Sequence, residues 1–193
     1  MIISEAIKDK LKESGKLIKS LTKNENLCCE IENIVDVIVD CFQQDCKLMI
    51  AGNGGSASQA EHIAGEFVGK FYKDREPLPC LALTGPTACL TAVGNDYGYD
   101  DVFLRQVKAF GKRGDIFIGL TTSGKSENIL LAAEYCQAVG ITVVGMTGVN
   151  VTDLHPLCDY SIRVPSTDVP MIQEAHIVIG HIIAGLVEGH MYG

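Results

Sequence analysis

The sequence has little positive charge. Its 16 Lys and Arg residues stand against 24 Asp and Glu residues, for a formal net charge of -8 at pH 7. Proteins that bind nucleic acids or anionic membranes concentrate Lys and Arg on one surface, so this balance argues against both partners. An anionic ligand would therefore have to be held locally, by a few well-placed groups.

Features of several other protein classes are also missing. No uninterrupted apolar run reaches the roughly 18 residues that cross a bilayer, and the start, Met1 to Glu5, does not resemble a secretory signal. There is no linker or low-complexity segment. Without a span or a signal, the protein is expected in the cytoplasm. Of the 193 residues 47% are hydrophobic and 21% charged, which predicts one domain over residues 1–193.

Two kinds of binding motif are absent as well. Neither the GxGxxG pattern of dinucleotide-binding turns nor the GxxxxGK[ST] pattern of phosphate-binding loops occurs, so no nucleotide cofactor is expected. The eight cysteines form no CxxC pair, which argues against a thiolate zinc site. Most lie among Leu, Ile and Val, and this predicts small buried residues in a reducing compartment rather than a disulfide framework.

The stretch from residue 46 to residue 70 organises the chain. Leu48 to Ala51 has the length of a buried parallel strand and is followed by the glycine turn Gly52-Asn53-Gly54-Gly55. Ser56 is predicted to cap the next helix. The apolar residues of that helix recur at the three-and-four spacing of one buried stripe, namely Ala60, Ile63, Ala64, Phe67, Val68 and Phe71.

His62 and Glu66 lie off this stripe. They are four residues apart, so they project from adjacent turns of one exposed face and can converge on one point. Beside a glycine turn and a helix amino terminus, the pair indicates an anion site with acid-base or metal chemistry. The alternative is a weak surface interaction without function.

The rest of the chain alternates strands and helices, which is typical of an α/β fold with a parallel sheet covered on both faces. Residues 1–44 form a predicted hairpin of two amphipathic helices, over 2–22 and 26–43, which would pack on the sheet or on another subunit. The predicted three-layer sandwich has five strands, at 48–51, 80–84, 115–120, 141–146 and 160–164. Residues 94–100 are predicted to form a loop, and Pro170 to open a long final helix.

A second strand-to-helix turn carries hydroxyl groups. Thr121, Thr122, Ser123 and Ser126 surround Lys125 at the predicted start of a helix. Hydroxyls and backbone amides there could hold a phosphate without a basic cluster, at the edge where open α/β sheets bind ligands. Ordinary helix capping is the alternative for one such turn, but two turns in equivalent places favour a ligand site.

The final helix carries two histidines of different character. His176 shares a stripe with apolar residues and is predicted to be a core histidine. His181 lies on the side of Glu174 and Glu188, so it is the better catalytic candidate of the two, although the pattern leaves the choice nearly even.

In combination, these motifs resemble the phosphoheptose isomerase family of sugar isomerase (SIS) domain proteins. The ordered set covers nearly the whole chain and comprises Gly52 to Ser56, His62 with Glu66, Gly94 to Gly98, Thr122 to Ser126, and Ile172 to His176 with His181. The resemblance implies a SIS, flavodoxin-like fold. It also implies conversion of sedoheptulose 7-phosphate to D-glycero-D-manno-heptose 7-phosphate, the first step of activated-heptose synthesis for lipopolysaccharide or capsule.

Residue roles follow from the same resemblance. Glu66 and His181 would be the acid-base pair, and one zinc ion per subunit would be held by His62, Glu66, Gln173 and His181. The substrate would contact Glu66 and the following residues: Asn53, Gly54, Gly55, Ser56, Asn95, Asp96, Thr121, Thr122, Ser123, Ser126 and Gln173. Many relatives carry Ser at position 121 and Arg at position 171, where this chain has Thr121 and Met171.

The implied chemistry agrees with the residue types. An aldose-ketose exchange moves a proton between neighbouring carbons, so it needs a base, an acid near the oxygens and stabilisation of an enediolate. Glu66 can take the carbon-bound proton and His181 can serve the oxygens. The alternative is a non-catalytic SIS protein that binds a sugar phosphate or a replication-initiator protein. The SIS protein that binds the replication initiator lacks the equivalent of this pair.

Self-association is also expected. Gln173 and His181 are eight residues apart, which on one unbroken helix is ~12 Å along the axis and ~80° around it. Two side chains so placed cannot easily meet on one ion, so the site is predicted to be shared between subunits unless the helix breaks, as Gly180 would permit. The resemblance implies a homotetramer.

Overall fold

The computed structural model describes residues 3–193. Its centre is a parallel sheet of five strands in the order β2-β1-β3-β4-β5, formed by β1 (Leu48–Gly52), β2 (Cys80–Ala82), β3 (Ile116–Leu120), β4 (Thr142–Thr147) and β5 (Tyr160–Arg163). Seven α-helices belong to the described residues: α1 (Ile3–Leu21), α2 (Glu25–Gln43), α3 (Gly55–Val68), α4 (Thr87–Asp96), α5 (Val102–Phe110), α6 (Glu127–Val139) and α7 (Val169–Tyr192). The predicted α/β class with five parallel strands is confirmed.

Successive side chains of β1 point to opposite faces of the sheet, and the core has one part on each face. Leu48 and Ile50 point to one face of the sheet, where they pack with α1, α2, α3 and α7. Met49 and Ala51 point to the other face, where they pack with α4, α5 and α6. Successive side chains of a strand face opposite sides, so an entirely apolar strand requires helices on both. These two helix layers and the sheet are the predicted three-layer sandwich.

Helix α7 runs alongside α3 in the same direction. Gly180 lies so close to Ile63 that a Cβ at this position would meet that side chain at 2.6 Å.

By length and composition α7 could cross a bilayer, which was not predicted from the sequence. It nevertheless buries Ile172, Ile179 and Val187 in the core. A core helix passes the same test, so α7 gives no argument for a membrane.

The predicted helical hairpin at the start of the chain is present, but its two helices are buried to different extents. All six residues of the apolar stripe of α2 are buried, at positions 27, 31, 34, 35, 38 and 42. In α1, Leu17 and Leu21 are buried, whereas Ile3, Ile7 and Leu11 are exposed by 79%, 55% and 69%. The prediction began this helix at residue 2, which lies outside the described residues.

Several local predictions were wrong. The proposed loop over 94–100 begins as helix, because α4 continues to Asp96 with Val93 buried beneath it, and a short 3-10 helix follows at Tyr99–Asp101. Strand β2 ends two residues early, where the chain turns into Gly85. Val68 is half exposed, since α3 ends there.

The cysteine prediction was right in part. All eight cysteines in the described chain are free thiols. Three of them are buried, and burial raises the pKa of the Cys136 thiol to about 12. Cys28 and Cys29 are exposed, against the expectation, because they lie on the outer face of α2.

Candidate active site

The turn between β1 and α3 requires glycine at Gly52 and Gly54. A Cβ at Gly52 would lie 2.6 Å from the backbone carbonyl oxygen of Ser56, and Gly54 adopts φ +56°, a left-handed conformation that L side chains rarely take. Gly55 lies against the amide end of the Gln173 side chain. The predicted serine cap is wrong: α3 begins at Gly55 after Gly54, no side chain caps it, and the Ser56 hydroxyl instead lies 3.5 Å from the Gln173 amide.

The Asn53 side chain is held by the start of α6. Its amide and that of Asn128 exchange two hydrogen bonds, of 2.9 and 3.0 Å. Asn128 is buried and was missed by sequence reasoning, because it lies 75 residues away and belongs to no recognised motif. The pair ties the glycine turn to the hydroxyl turn at the carboxyl ends of β1 and β3. These strands are neighbours in the sheet, at the point where the strand order reverses and open α/β sheets bind ligands.

The hydroxyl turn between β3 and α6 is compact. The Thr121 hydroxyl is buried and lies 3.0 Å from that of Ser126 and 3.4 Å from that of Ser123. The amide of Gly124, which has φ +65°, donates to Thr121, and the Lys125 amide donates to Ser123. Ser126 stands at the N-cap of α6 but makes no capping hydrogen bond. Simple capping therefore does not account for this serine, and the hydroxyl cluster at the helix start can accept an anion.

Asn95 and Asp96 lie apart from this cluster. They end α4, both are exposed, and the Asn95 amide donates to Asp96 at 2.7 Å. Within residues 3–193, no side-chain hydrogen bond joins either residue to the two turns. Tyr99, in the 3-10 helix that follows, does reach the site, since its hydroxyl donates to Asn53 at 2.9 Å.

His62 and Glu66 of α3 converge with His181 of α7, which is 119 residues from His62 in the sequence. The His62 Nε2 atom lies 3.1 Å from Glu66 Oε1 and 2.9 Å from His181 Nε2. Each of the three side chains offers one possible ligand atom, and these three atoms all lie within 4.8 Å of one another. The Glu66 side chain is 24% exposed and that of His62 51%, so a ligand can approach from solvent. Two imidazoles and a carboxylate so placed can serve as acid-base groups or as metal ligands.

Gln173 does not belong to this group. Its backbone carbonyl accepts from the Gln59 amide at 2.6 Å, and its side chain lies against Gly55 and Ser56. It is therefore at the glycine turn, toward the start of α3, whereas His181 is beside His62 farther along. Helix α7 is unbroken between Gln173 and His181, because Gly180 serves as the close contact with Ile63 and not as a break.

His176 is a core histidine, as predicted. It is fully buried, and its Nε2 lies 3.3 Å from the Thr147 carbonyl oxygen. Burial lowers its pKa to about 4, so the imidazole is neutral at pH 7.

A buried ion pair behind the histidine cluster escaped sequence reasoning. Glu188 accepts hydrogen bonds from the amides of residues 71, 72 and 73 and from the Arg75 guanidinium. Burial opposes its ionisation, but these four donors together hold the pKa of Glu188 below its ordinary value. Arg75 also donates to the Glu66 carbonyl oxygen at 2.9 Å. The pair thus ties the end of α3 to α7, with the Phe71 ring 5.8 Å from that of His181.

Known proteins resemble this chain over nearly its whole length. A model of the SIS domain family matches residues 11–148. Phosphoheptose isomerase of Aneurinibacillus thermoaerophilus is 50% identical over 186 residues, which cover 96% of this chain and 94% of that protein. Phosphoheptose isomerase 2 of Campylobacter jejuni is 47% identical, over 99% of this chain and 95% of that protein. The solved structure of a phosphoheptose isomerase from Francisella tularensis superposes with a TM-score of 0.93 at 33% identity, covering 98% of this chain and all (100%) of the other.

Proposed function

This chain belongs to the SIS domain family and is an isomerase of its phosphoheptose isomerase group, and on this premise we propose that it converts sedoheptulose 7-phosphate to D-glycero-D-manno-heptose 7-phosphate. The observation that carries the proposal is the convergence of Glu66 with His62 and His181. The fold around them is that of relatives named phosphoheptose isomerase. The product would enter activated-heptose synthesis for lipopolysaccharide or capsule, in the cytoplasm. Residues 1–193 would act as one SIS domain, with 1–44 as its helical hairpin.

The two turns are proposed to hold the substrate. The hydroxyls of Thr121, Ser123 and Ser126, with Thr122 and nearby amides, would receive the phosphate at the start of α6, where the helix dipole favours negative charge. The glycine turn lets sugar oxygens approach the backbone closely. The sugar is expected to contact the glycine turn, Gln173 and the end of α4, that is, Asn53, Gly54, Gly55, Ser56, Gln173, Asn95 and Asp96.

Glu66 transfers the carbon-bound proton, and His181 transfers the protons of the oxygens. Glu66 removes a proton from C1 of the ketose, and His181 gives a proton to the C2 oxygen, which leaves an enediol. His181 then takes the proton of the C1 hydroxyl, and Glu66 returns its proton to C2, so that the aldose forms and both residues recover their starting states. Each transfer needs its group within hydrogen-bond reach, and the 2.9 and 3.1 Å contacts with His62 hold both groups at one place.

The donor set fits zinc. Two imidazole nitrogens and a carboxylate oxygen are ordinary zinc ligands, and three protein ligands leave room for a further one. One ligand atom from each of His62, Glu66 and His181 lies within 4.8 Å of the other two, close enough for all three to hold one ion. When bound, zinc would polarise the substrate oxygens as a Lewis acid. His62, Glu66 and His181 would hold one ion per subunit, with Gln173 as the fourth ligand.

That fourth ligand is proposed to come from another subunit of a homotetramer. Helix α7 is continuous, so Gln173 and His181 of one chain stay ~12 Å apart along its axis. The exposed apolar residues Ile3, Ile7 and Leu11 of α1 supply a surface for self-association. An apolar groove continues it between α1, α2 and α7, lined by Ile18, Leu21, Ile31, Val35, Ile182 and Leu186.

The proposed function is tested by incubating purified protein with sedoheptulose 7-phosphate and following formation of the aldose. Steady isomerisation is expected. A non-catalytic SIS protein, which binds a sugar phosphate or a replication-initiator protein, would bind the sugar or that partner without turnover. The convergence of Glu66 and His181 favours the enzyme, because a sensor has no use for a base and an acid at one point.

A further inference from the structure

Tyr99 completes a clamp on the Asn53 side chain. The carbonyl oxygen Oδ1 of Asn53 accepts one hydrogen bond from the Asn128 amide at 3.0 Å and a second from the Tyr99 hydroxyl at 2.9 Å. The Asn53 amide nitrogen gives one of its hydrogens to Asn128 at 2.9 Å. The three residues come from the glycine turn, the start of α6 and the 3-10 helix after α4.

A count of donors and acceptors shows what remains for a ligand. An amide oxygen has two lone pairs, and both are used by Tyr99 and Asn128. An amide nitrogen has two hydrogens, and Asn128 takes one. Asn53 is therefore left with a single N–H donor and no acceptor. With Asn128 as its sole partner, the Asn53 amide could either donate to a ligand or accept from one. The Tyr99 hydrogen bond occupies the remaining lone pair, so Asn53 can only donate.

We propose that Tyr99 is a positioning residue for the isomerase reaction, which commits Asn53 to donate an N–H to an electron-rich oxygen of the sugar phosphate. This inference rests on the proposed function. Tyr99 itself is 60% exposed, so its hydroxyl lies at an open edge of the site and adds little to the core. Its oxygen still has a free lone pair, which can accept from a sugar hydroxyl.

The test is Tyr99→Phe, which removes one oxygen atom. The kcat/KM for sedoheptulose 7-phosphate is expected to fall about 3- to 10-fold, as for loss of one hydrogen bond. Tyr97→Phe is the matched control, because Tyr97 is 57% exposed and stacks on Arg105 without a hydroxyl contact among the bonds described. Both variants should keep the wild-type melting temperature. Equal kcat/KM in the two variants would overturn the proposal.

A double-mutant cycle separates positioning from an independent role. If Tyr99 acts through Asn53, then Tyr99→Phe should have no further effect on kcat/KM in an Asn53→Ala background. Additive losses in the double variant would show that Tyr99 acts on its own, against the proposal.

A ligand-free measurement distinguishes failure of the clamp from failure of the proposed function. Hydrogen exchange of the Asn53 side-chain amide, followed by nuclear magnetic resonance, should be faster in Tyr99→Phe than in the wild type or Tyr97→Phe. Equal exchange in all three proteins would contradict the clamp. A wild-type protein that shows this protection but does not isomerise the sugar would contradict the proposed function and leave the clamp standing.

Discussion

At the scale of single residues, Glu66 has the most demanding of the proposed roles. It is the only carboxylate of the described histidine cluster, and it is partly shielded by its neighbours. A carboxylate that also binds zinc is a weaker base, so Glu66 in both proposed roles would divide them between its two oxygens or perform them at different stages. The side chain therefore has to remain both well placed and negatively charged.

We expect Glu66→Gln to reduce turnover below about a tenth of the wild-type rate, because a general base typically contributes ~100-fold or more. Substrate should still bind, since the amide keeps the shape of the side chain. Glu61→Gln is the control, as Glu61 lies exposed on the same helix. Rates and sugar binding are measured for both. A Glu66→Gln enzyme that kept more than a tenth of the activity would remove Glu66 from the role of base.

Ser126→Asp tests the phosphate position. The Ser126 hydroxyl lies 3.0 Å from that of Thr121, so a carboxylate at position 126 would put a negative charge beside the proposed phosphate site, and KM should rise about tenfold or more. Gln137→Glu adds the same charge at an exposed position near the other end of α6 and should leave KM unchanged. If KM were unaffected by Ser126→Asp, the phosphate would have to bind elsewhere.

At the scale of elements, the parallel contact between α3 and α7 builds the histidine cluster. Gly180 lets the helices approach, and Glu188 with Arg75 fastens their ends. Arg75 satisfies carbonyl groups at the end of α3, those of Glu66 and Phe67, which a helix terminus otherwise leaves without partners. The ion pair is therefore structural and also orients the turn that carries Glu66.

Glu188→Gln should lower the free energy of unfolding by about 3–5 kcal/mol, because it leaves the buried Arg75 charge without its partner. The pKa of Glu188 is below its ordinary value, so its stabilisation is present above about pH 4.5 and lost as the pH falls through the folded pKa. Urea unfolding at several pH values measures this, with exposed Glu76→Gln as control. A constant difference between wild type and Glu188→Gln at all pH values would contradict the assignment.

At the scale of the whole molecule, the proposed site is complete only with a metal and a second chain. Chelation should abolish turnover, and added zinc should restore it. Elemental analysis of the untreated protein is expected to find about one zinc per chain, and this ratio should fall in His62→Ala but not in the exposed-residue control His190→Ala. Full activity of the metal-free protein would show that Glu66 and His181 work alone.

Mixing experiments test the shared site. Gln173→Ala and His181→Ala proteins should each be inactive, but dissociation and reassociation of a mixture should regenerate some sites with both groups intact and so partial activity. Each variant taken through the same steps alone is the control. If no mixture recovered activity, the ligands of a site would have to come from one chain.

The sequence by itself determined most of the elements and the two turns at the ends of β1 and β3. Apolar spacing of two in strands and of three and four in helices is a local property, so β1, α2, the buried face of α3 and the core position of His176 could be predicted. The glycine and hydroxyl turns were recognised because two such turns follow strands in equivalent places, at the edge where open α/β sheets bind ligands. Local residue patterns gave the wrong result at two positions: Gly94, predicted in a loop, lies in α4, and Val68, predicted to be buried, is half exposed.

Only the tertiary structure decided which side chains meet. His62 and His181 are 119 residues apart, Asn53 and Asn128 are 75 apart, and Glu188 lies 113 residues from Arg75. Such contacts depend on the order of the strands and on how closely two helices dock, and neither is a property of a short stretch of residues. The same geometry separates Gln173 from His181, because a continuous helix fixes the distance between its own residues.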